Sequence, residues 1–581
     1  MAREERATPP EELSVPGTQH LIDLEHSKLL LLPTPSTAPE DPLNWSKWRK
    51  AITSLSWVIY VFFNSLANAN LASVLEPLSE ANGLPVSVLN AGTGYLFLLA
   101  GWGLFFWQPF ALQYGKRLTY ILSLLGIVAV TMWAPYITTE GQWYGRSILA
   151  GFFAAPVEAL PELSIADVYF THERGTWTGV YAMTLVGSNF AAPLICGFIN
   201  VGQGWRWVFY YPAIFAGAAA VLLYFIMEET NFDRKGKDLK TLDQASVKDG
   251  STQYSAHEVE KTMSSDGTVH ENRHQLRRHL LNPVSVSRPF LFHHRLLLQA
   301  RFCFFPLPLF AGFLYGSSLI WFNVMNATAS TIFSEPPYSF ASSIVGLTYI
   351  SPMLGTLGAA IYNGYFSDVL AKRLARRNGH GVFEPEYRLP LALILLLVTP
   401  ASLILWGVGA AHEVHWFGLI VAMCGLGFQN TVGAGAAFNY LVDSYTEMSG
   451  DALTAVIIVR NTMSFAVNYG ISPWVDRMGL VDAFVTAAMV GLACAATTCL
   501  LIWKGKEMRA RSKKTYWKLV ERQAAKSILT IPPYDRHGRS AFSGHSSSDE
   551  DLSEHAAACP VILAFHPKAK LVQTCVYVIR K

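Results

Sequence analysis

Long apolar runs constrain this chain more than any other feature. An α-helix rises 1.5 Å per residue, so about 20 apolar residues cross the hydrocarbon core of a bilayer. In the first half of the chain such runs occupy residues 51–75, 88–112, 118–136, 143–163, 177–201 and 207–227; in the second half they occupy 302–324, 341–362, 390–411, 416–440, 453–474 and 481–503. The runs predict an all-α membrane protein with twelve transmembrane helices in two six-helix halves.

Composition supports a lipid environment. Hydrophobic residues make up 51% of the chain and charged residues 15%, whereas soluble proteins carry about 25% charged residues. The net charge of +3 is too small to indicate nucleic acid. We therefore expect the lipid bilayer, and no nucleic acid, as a partner.

Polar segments divide the chain into five parts. We expect an N-terminal segment at 1–50, a six-helix half at 51–227, a linker at 228–301, a second half at 302–503 and a tail at 504–581. The linker is rich in Lys, Asp, Ser and His and has too little apolar surface to fold as a domain. Lys and Arg concentrate in alternate loops, for example at Lys116, Arg117, Lys372 and Arg373. The positive-inside rule thus predicts that both termini and the linker are cytoplasmic.

Motifs of enzymes and bound cofactors are missing from the sequence. It contains no G-x-x-x-x-G-K-[ST], H-E-x-x-H or G-x-S-x-G pattern, and its seven cysteines lack the spacing of a metal or redox site. We expect no enzyme activity, no catalytic residue, no cofactor and no metal, and a chain that acts as a monomer.

Four short motifs resemble one family. They are DPLNWSKWRK at 41–50, THERG at 171–175, GWRWVFY at 204–210 and EETNFDR at 228–234. Together they are similar to fungal drug and polyamine proton antiporters of the major facilitator superfamily. The resemblance implies the major facilitator fold, with two pseudo-symmetric halves, and proton-coupled export of a small organic solute at the plasma membrane. Proton-coupled uptake, or a membrane sensor that keeps the transporter fold without transporting, are the alternatives.

The signature loop of this superfamily, G-x-x-x-D-(R/K)-x-G-x-(R/K)-(R/K), follows spans two and eight. Matching residues here are Gly364 and Asp368 after the eighth span, and Gly115, Lys116 and Arg117 after the second. After the second span Leu112 replaces the acid and Gln108 replaces the first glycine. The resemblance implies a gating role for Gly364, Asp368, Gly115 and Arg117, in which glycine allows close approach of helices. An ordinary charged loop is the alternative.

The fifth span carries a partial match to a second family motif. Gly187 and the run from Ala192 through Pro193 to Gly197 resemble the antiporter pattern G-x-x-x-G-P-x-x-G-G. Proline bends a helix and small residues admit a neighbour, as a moving interface requires. The match assigns gating to Pro193 and Gly197 and favours export over uptake.

Two charged residues lie deep within predicted spans. Glu158 in the fourth span and Arg460 in the eleventh are at similar depths from the cytoplasmic ends. A charge in hydrocarbon costs at least about 2.5 kcal/mol, so such residues are functional candidates. The resemblance implies that spans 4 and 11 approach each other across a central cavity near the cytoplasmic gate. We therefore predict that Glu158 and Arg460 meet in one state and part in another, with unpaired Glu158 binding a proton. Alternatively, Asp443 or backbone carbonyls satisfy Arg460, and hydroxyl groups satisfy Glu158.

Amide side chains cluster on several spans and are predicted to line a substrate and proton pathway. They are Asn64, Asn68, Asn189, Asn323, Asn430, Asn461 and Asn468. Asn64 and Asn68 are four residues apart and share one helix face. Hydrogen bonding between helices is an equally simple role for each of them.

Overall fold

The computed structural model describes residues 15–17, 19–20, 41–232, 292–377 and 382–529. Contacts divide the chain into residues 1–524 and 525–581. Apart from residues 525–529 at the end of the last helix, everything described below belongs to the first of these units.

The first half contains six spans. Its helices are α1 Lys47–Asn68 (span 1), α2 Leu75–Asn82, α3 Val86–Trp102 and α4 Leu104–Tyr114 (span 2), α5 Lys116–Trp133 (span 3), α6 Glu140–Ala154 and α7 Leu160–Val168 (span 4, joined by the 3-10 segment Ala155–Glu158), α8 Thr171–Gln203 (span 5) and α9 Trp207–Ile226 (span 6). Span 2 is continuous through Gly103, because that residue keeps right-handed helical dihedral angles.

The second half repeats this order. Its elements are α10 Phe292–Phe302, α11 Pro306–Ser334 (span 7), α12 Ser342–Thr348 and α13 Ile350–Ile361 with the π-helical segment Tyr362–Phe366 (span 8), α14 Ser367–Arg377, the 3-10 segment Pro385–Ile394 with α15 Leu395–Ala411 (span 9), α16 Trp416–Ser444 (span 10) and α17 Ser449–Leu529 (spans 11 and 12). Two short antiparallel strands, β1 Gln19–His20 and β2 Val382–Phe383, pair with each other.

The described residues confirm the twelve predicted spans. Ten helical stretches are long and apolar enough to cross a membrane, and the bent pair of α2 and α3 adds an eleventh. The twelfth arises because α17 changes direction at Gly479, whose φ of 74° is outside the helical region. Span 9 begins before residue 390 and span 12 continues beyond residue 503, so the apolar runs underestimate both helices.

The outer surface is apolar. Large side chains such as Leu397 (72% exposed), Phe225 (66%) and Met489 (62%) point away from the protein. A soluble protein of this size does not expose so many contiguous apolar side chains. These residues face lipid in a multi-pass membrane protein.

Both halves begin and end at the same end of the molecule, which we call the basic end because Arg49, Lys116, Arg117 and Arg509 lie there. Spans 1, 3, 5, 7, 9 and 11 start at this end and the intervening spans return to it. The other end is called the opposite end.

Candidate functional site

A cavity of about 190 Å³ lies between the two halves. Spans 1, 2, 4 and 5 line it from the first half and spans 7, 10 and 11 from the second. The predicted pathway residues among its lining are Asn64, Asn68, Glu158, Asn189, Asn323, Asn430, Arg460 and Asn468. Asn461 is fully buried beside the cavity, where its Oδ1 accepts a 2.9 Å hydrogen bond from Arg460 Nε.

Glu158 and Arg460 form an ion pair across the two halves. Arg460 Nη2 lies 2.5 Å from Glu158 Oε1, and the two side chains are 5% and 14% exposed. Arg460 Nη1 also donates to the Tyr315 hydroxyl at 2.9 Å. Asp443, the alternative partner for Arg460, instead pairs with Arg388 at 3.1 Å. The contact predicted from equal depth and from the family resemblance is therefore present in this conformation, and the separation of the pair stays a prediction.

Two prolines explain how span 4 presents Glu158. Proline has no N–H, so Pro156 leaves the carbonyl of Phe152 without a helical donor and Pro161 leaves that of Val157. Side chains of neighbouring spans replace both donors. The Trp107 indole donates to Phe152 O at 2.7 Å, and the Tyr181 hydroxyl donates to Val157 O at 3.0 Å. The helix can therefore break at Ala155–Glu158 without orphaned carbonyls, and Glu158 lies at the break.

The amides make mostly local contacts in this conformation. Asn68 Nδ2 donates to Asn64 Oδ1 at 3.0 Å within span 1, and Asn468 Nδ2 donates to Ser464 O at 2.8 Å within span 11. These two bonds stay within one helix, but Asn64 Nδ2 also donates to the Ser123 hydroxyl of span 3 at 3.3 Å. Hydrogen bonding between helices is therefore seen for Asn64 and not for the described contacts of Asn68 and Asn468. Their grouping around one cavity is consistent with a polar solute path.

Two cavity-region residues were missed by sequence reasoning. Asn90 lines the cavity from span 2 and donates to Ala327 O at 3.3 Å and Ser472 Oγ at 3.1 Å, joining three spans. Glu162 follows Glu158 in span 4, and its charge acts on Glu158 and Arg460. The signals that could have found them are a single amide in an apolar run for Asn90 and an acid next to Pro161 for Glu162.

The residues predicted to gate in the fifth span lie at a close contact between the halves. A Cβ added to Gly197 would lie 2.4 Å from Ser342 O, and one added to Gly346 would lie 2.8 Å from Pro193 O. Spans 5 and 8 thus approach as closely as backbone allows. Pro193 also leaves the carbonyl of cavity residue Asn189 without its helical donor.

The signature-loop residues behave differently in the two halves. Gly115 has a φ of 117°, and Arg117 donates to Tyr224 O, so both are fixed at the basic end. Gly364 lies in the π-helical segment, with no atom within 4 Å of an added Cβ. The close helix approach predicted for Gly364 is therefore wrong in this conformation. Asp368 lies in α14, but its side chain is outside the described residues.

The fold and the paired charges at its centre define a membrane transporter built from two six-helix halves. The Major Facilitator Superfamily pattern matches residues 57–468, and the chain belongs to that superfamily. An uncharacterised MFS-type transporter of Schizosaccharomyces pombe is 27% identical, covering 90% of this chain and 95% of the relative. The efflux pump radE of Floropilus chiversii is 24% identical, covering 82% of this chain and 84% of its own.

A solved structure supports the same fold. The crystal structure of a D-xylose–proton symporter aligns with a TM-score of 0.51 at 14% identity, covering 78% of this chain and 96% of the symporter. At this identity the likeness establishes the fold alone.

Proposed function

We propose that this chain exports a small organic solute in exchange for protons by alternating access. The observation that carries the proposal is the Glu158–Arg460 ion pair, which joins spans 4 and 11 of opposite halves beside the central cavity. The halves that rock against each other would be residues 51–227 and 302–503, with 228–301 as a linker.

Proton coupling follows from the chemistry of the pair. Removing one partner of a buried pair leaves an uncompensated charge, which costs about 3–5 kcal/mol. Protonation neutralises Glu158 and so weakens its hold on Arg460. A conformation with the pair separated therefore becomes more accessible when Glu158 carries a proton, and linkage requires that this conformation also binds the proton more tightly.

The direction of transport rests on two observations. The fifth span carries a partial antiporter motif around Pro193 and Gly197, at the tight contact between halves. The relative from Floropilus chiversii is named an efflux pump. These favour export over uptake.

The cavity limits the solute. Its volume of about 190 Å³ is below the roughly 300–1,000 Å³ of pockets that bury drug-sized ligands. Its lining combines amides with a paired acid and base, which suits a small solute with polar groups. We place the protein in the plasma membrane as a monomer, with the basic end in the cytoplasm because lysine and arginine concentrate there.

Growth of a host strain that expresses the chain, on toxic compounds and polyamines, would identify a candidate solute. Its exchange is then measured in proteoliposomes with and without a proton gradient, using the native chain and Glu158→Gln. We expect gradient-driven transport by the native chain and a loss of pH dependence in the variant. Binding without exchange would favour a sensor, and an unaltered pH dependence in Glu158→Gln would remove Glu158 from coupling.

A further inference from the structure

Spans 2 and 11 form a seam between the two halves. Gly101 in span 2 lies so close to span 11 that an added Cβ would be 2.8 Å from Asn461 Cβ. One residue further on, the Trp102 indole donates to Thr462 Oγ1 at 3.1 Å. The seam continues from there to the basic end, where it reaches Gln108.

Gln108 closes the seam at the basic end. Its Oε1 accepts a hydrogen bond from the hydroxyl of Thr454, and its Nε2 donates to Gly450 O at 3.4 Å. Gln108 is 1% exposed and Thr454 is fully buried. Leu163 of span 4 packs beside them, since an added Cβ on Gly450 would lie 3.1 Å from Leu163 Cδ2. Residues of the first half thus enclose the first turn of span 11.

The chemistry of this contact differs from that of a charged latch. Gln108 stands where the superfamily signature has its first glycine, and Leu112 stands where it has its acid. The first half therefore offers span 11 an amide, which can both accept and donate, instead of a carboxylate. Because the groups are uncharged and buried, salt has little effect on the contact.

We propose that Gln108 is a gating residue that holds the basic end closed through Thr454 and Gly450. The two partners belong to opposite halves, so their hydrogen bonds exist only while the seam is closed. Opening exchanges these hydrogen bonds for bonds to water, and the bonds within the protein keep a modest net advantage, which favours the closed state. The inference rests on the proposed alternating access, but it concerns conformation and needs no knowledge of the solute.

Cysteine labelling measures the opening directly. Ser449, half-buried next to Gly450, is replaced by cysteine in a chain whose native cysteines are changed to alanine, and the purified protein reacts with a water-soluble maleimide. Gln108→Met preserves the side-chain length and removes both hydrogen bonds. We expect it to raise the labelling rate about tenfold, and Thr454→Val to raise it severalfold.

A double variant separates gating from general loosening. Because Gln108 and Thr454 act on each other, Gln108→Met with Thr454→Val should label no faster than Gln108→Met alone. Thr462→Val is the matched control: it removes a hydroxyl eight residues further along the same helix, at an exposed hydrogen bond, and should change the rate less than twofold. An unchanged rate in Gln108→Met, or effects that multiply in the double variant, would overturn the proposal.

The labelling outcome is independent of transport. If the chain binds solutes without exchange, the proposed function fails while the labelling differences can remain. If solute exchange is found and labelling is unaffected, the gate lies elsewhere and the proposed function stands. Size-exclusion profiles and thermal unfolding of each variant identify any that fail to fold, and for these Gln108→Leu provides a second apolar replacement.

Discussion

At the basic end, each half holds its own span ends together through one charged side chain and its partners, which we call its clamp. The two clamps have opposite charges. In the first half an acid follows the last span: Glu229, after span 6, accepts hydrogen bonds from the backbone N–H groups of Lys116 and Arg117 at 3.0 and 3.1 Å. In the second half a base follows the last span: Arg509, after span 12, donates to Glu386 at 2.9 Å and Glu384 at 2.6 Å. Corresponding positions thus carry opposite charges.

The first clamp binds backbone groups, whereas the second binds side chains. Glu229 binds the free N–H groups that every helix start presents, where the helix dipole also favours an anion. Arg509 needs two carboxylates that the sequence must supply at the start of span 9, and its side chain is fully buried. The second clamp therefore depends more strongly on the identity of its residues.

The largest effect is expected from breaking the second clamp. Arg509→Met removes the buried cation from Glu384 and Glu386, whose side chains are 10% exposed, and leaves only Lys506, which is 66% exposed, beside Glu384. We expect a loss of about 3–5 kcal/mol in the free energy of unfolding. Thermal and denaturant unfolding in detergent measure it. Arg511→Met is the matched control, since its pair with Glu507 is exposed, and should change the free energy by less than about 0.5 kcal/mol.

A triple variant tests whether uncompensated charge causes the loss of stability in Arg509→Met. Changing Glu384 and Glu386 to glutamine in the Arg509→Met background removes the uncompensated charges and should restore part of the stability. A triple variant as unstable as Arg509→Met alone would mean that packing, and not charge, dominates this clamp.

The sequence predicted the spans better than the clamps. Bilayer thickness imposes a length on every span, so apolar runs locate them without tertiary information. Glu158 was paired with Arg460 from their equal depth together with the resemblance to a superfamily in which spans 4 and 11 approach each other. Glu229 and Arg509, in contrast, lie in ranges assigned to the linker and the tail, and their partners follow from how the span ends are arranged in space. Gln108 was seen only as a mismatch to a motif, because its partner Thr454 lies in the other half.

The second clamp also holds residues from the N-terminal segment. Arg509 Nη1 donates to Pro16 O at 2.7 Å, and Gly17 has a φ of 86° with Asp443 O at 2.6 Å from an added Cβ. Gly17→Val combines the strain of a left-handed backbone with this clash. We expect it to weaken docking of the N-terminal segment by about 2 kcal/mol. Disulfide formation in the chain carrying Gln19→Cys and Phe383→Cys, which pair between β1 and β2, reports docking of the segment.

Gly83 offers the matched control for that substitution. Its φ is 68°, but no atom lies within 4 Å of an added Cβ, so Gly83→Val introduces strain without a clash. It should leave disulfide formation between positions 19 and 383 unchanged. Undiminished disulfide formation in Gly17→Val would show that the close contact with Asp443 does not govern docking.

Breaking the first clamp should cause a smaller loss in the free energy of unfolding. Glu229→Gln keeps one oxygen that can accept from the backbone of Lys116 or Arg117, so we expect about 1 kcal/mol in unfolding experiments. Glu228→Gln is the matched control, because its pair with Arg49 is partly exposed, and should cost less than about 0.5 kcal/mol. A cost in Glu229→Gln as large as that of Arg509→Met would contradict the distinction between backbone and side-chain clamps.

The smallest effect is a pH dependence of opposite sign in the two clamps. Burial raises the pKa of Glu229, and backbone hydrogen bonds from Asn231, Lys116 and Arg117 only partly offset it. Burial would also raise the pKa of Glu384, but Lys506 and Arg509 outweigh it and hold that pKa below its usual range. Because the folded-state pKa of Glu384 is lowered, its stabilisation is present above the ordinary carboxyl pKa of about 4.3 and is lost as the pH falls through the lowered value.

For Glu229 the sign is reversed. A raised folded-state pKa means that ionisation costs stability as the pH rises through it, and acidification relieves that cost. We therefore expect acidification to increase hydrogen exchange at residues 382–386 and to leave it unchanged or lower it at 115–117, after correction for the intrinsic exchange rates. Exchange that changes in the same direction at both sites would show that a common unfolding event, and not the charge of each clamp, controls them.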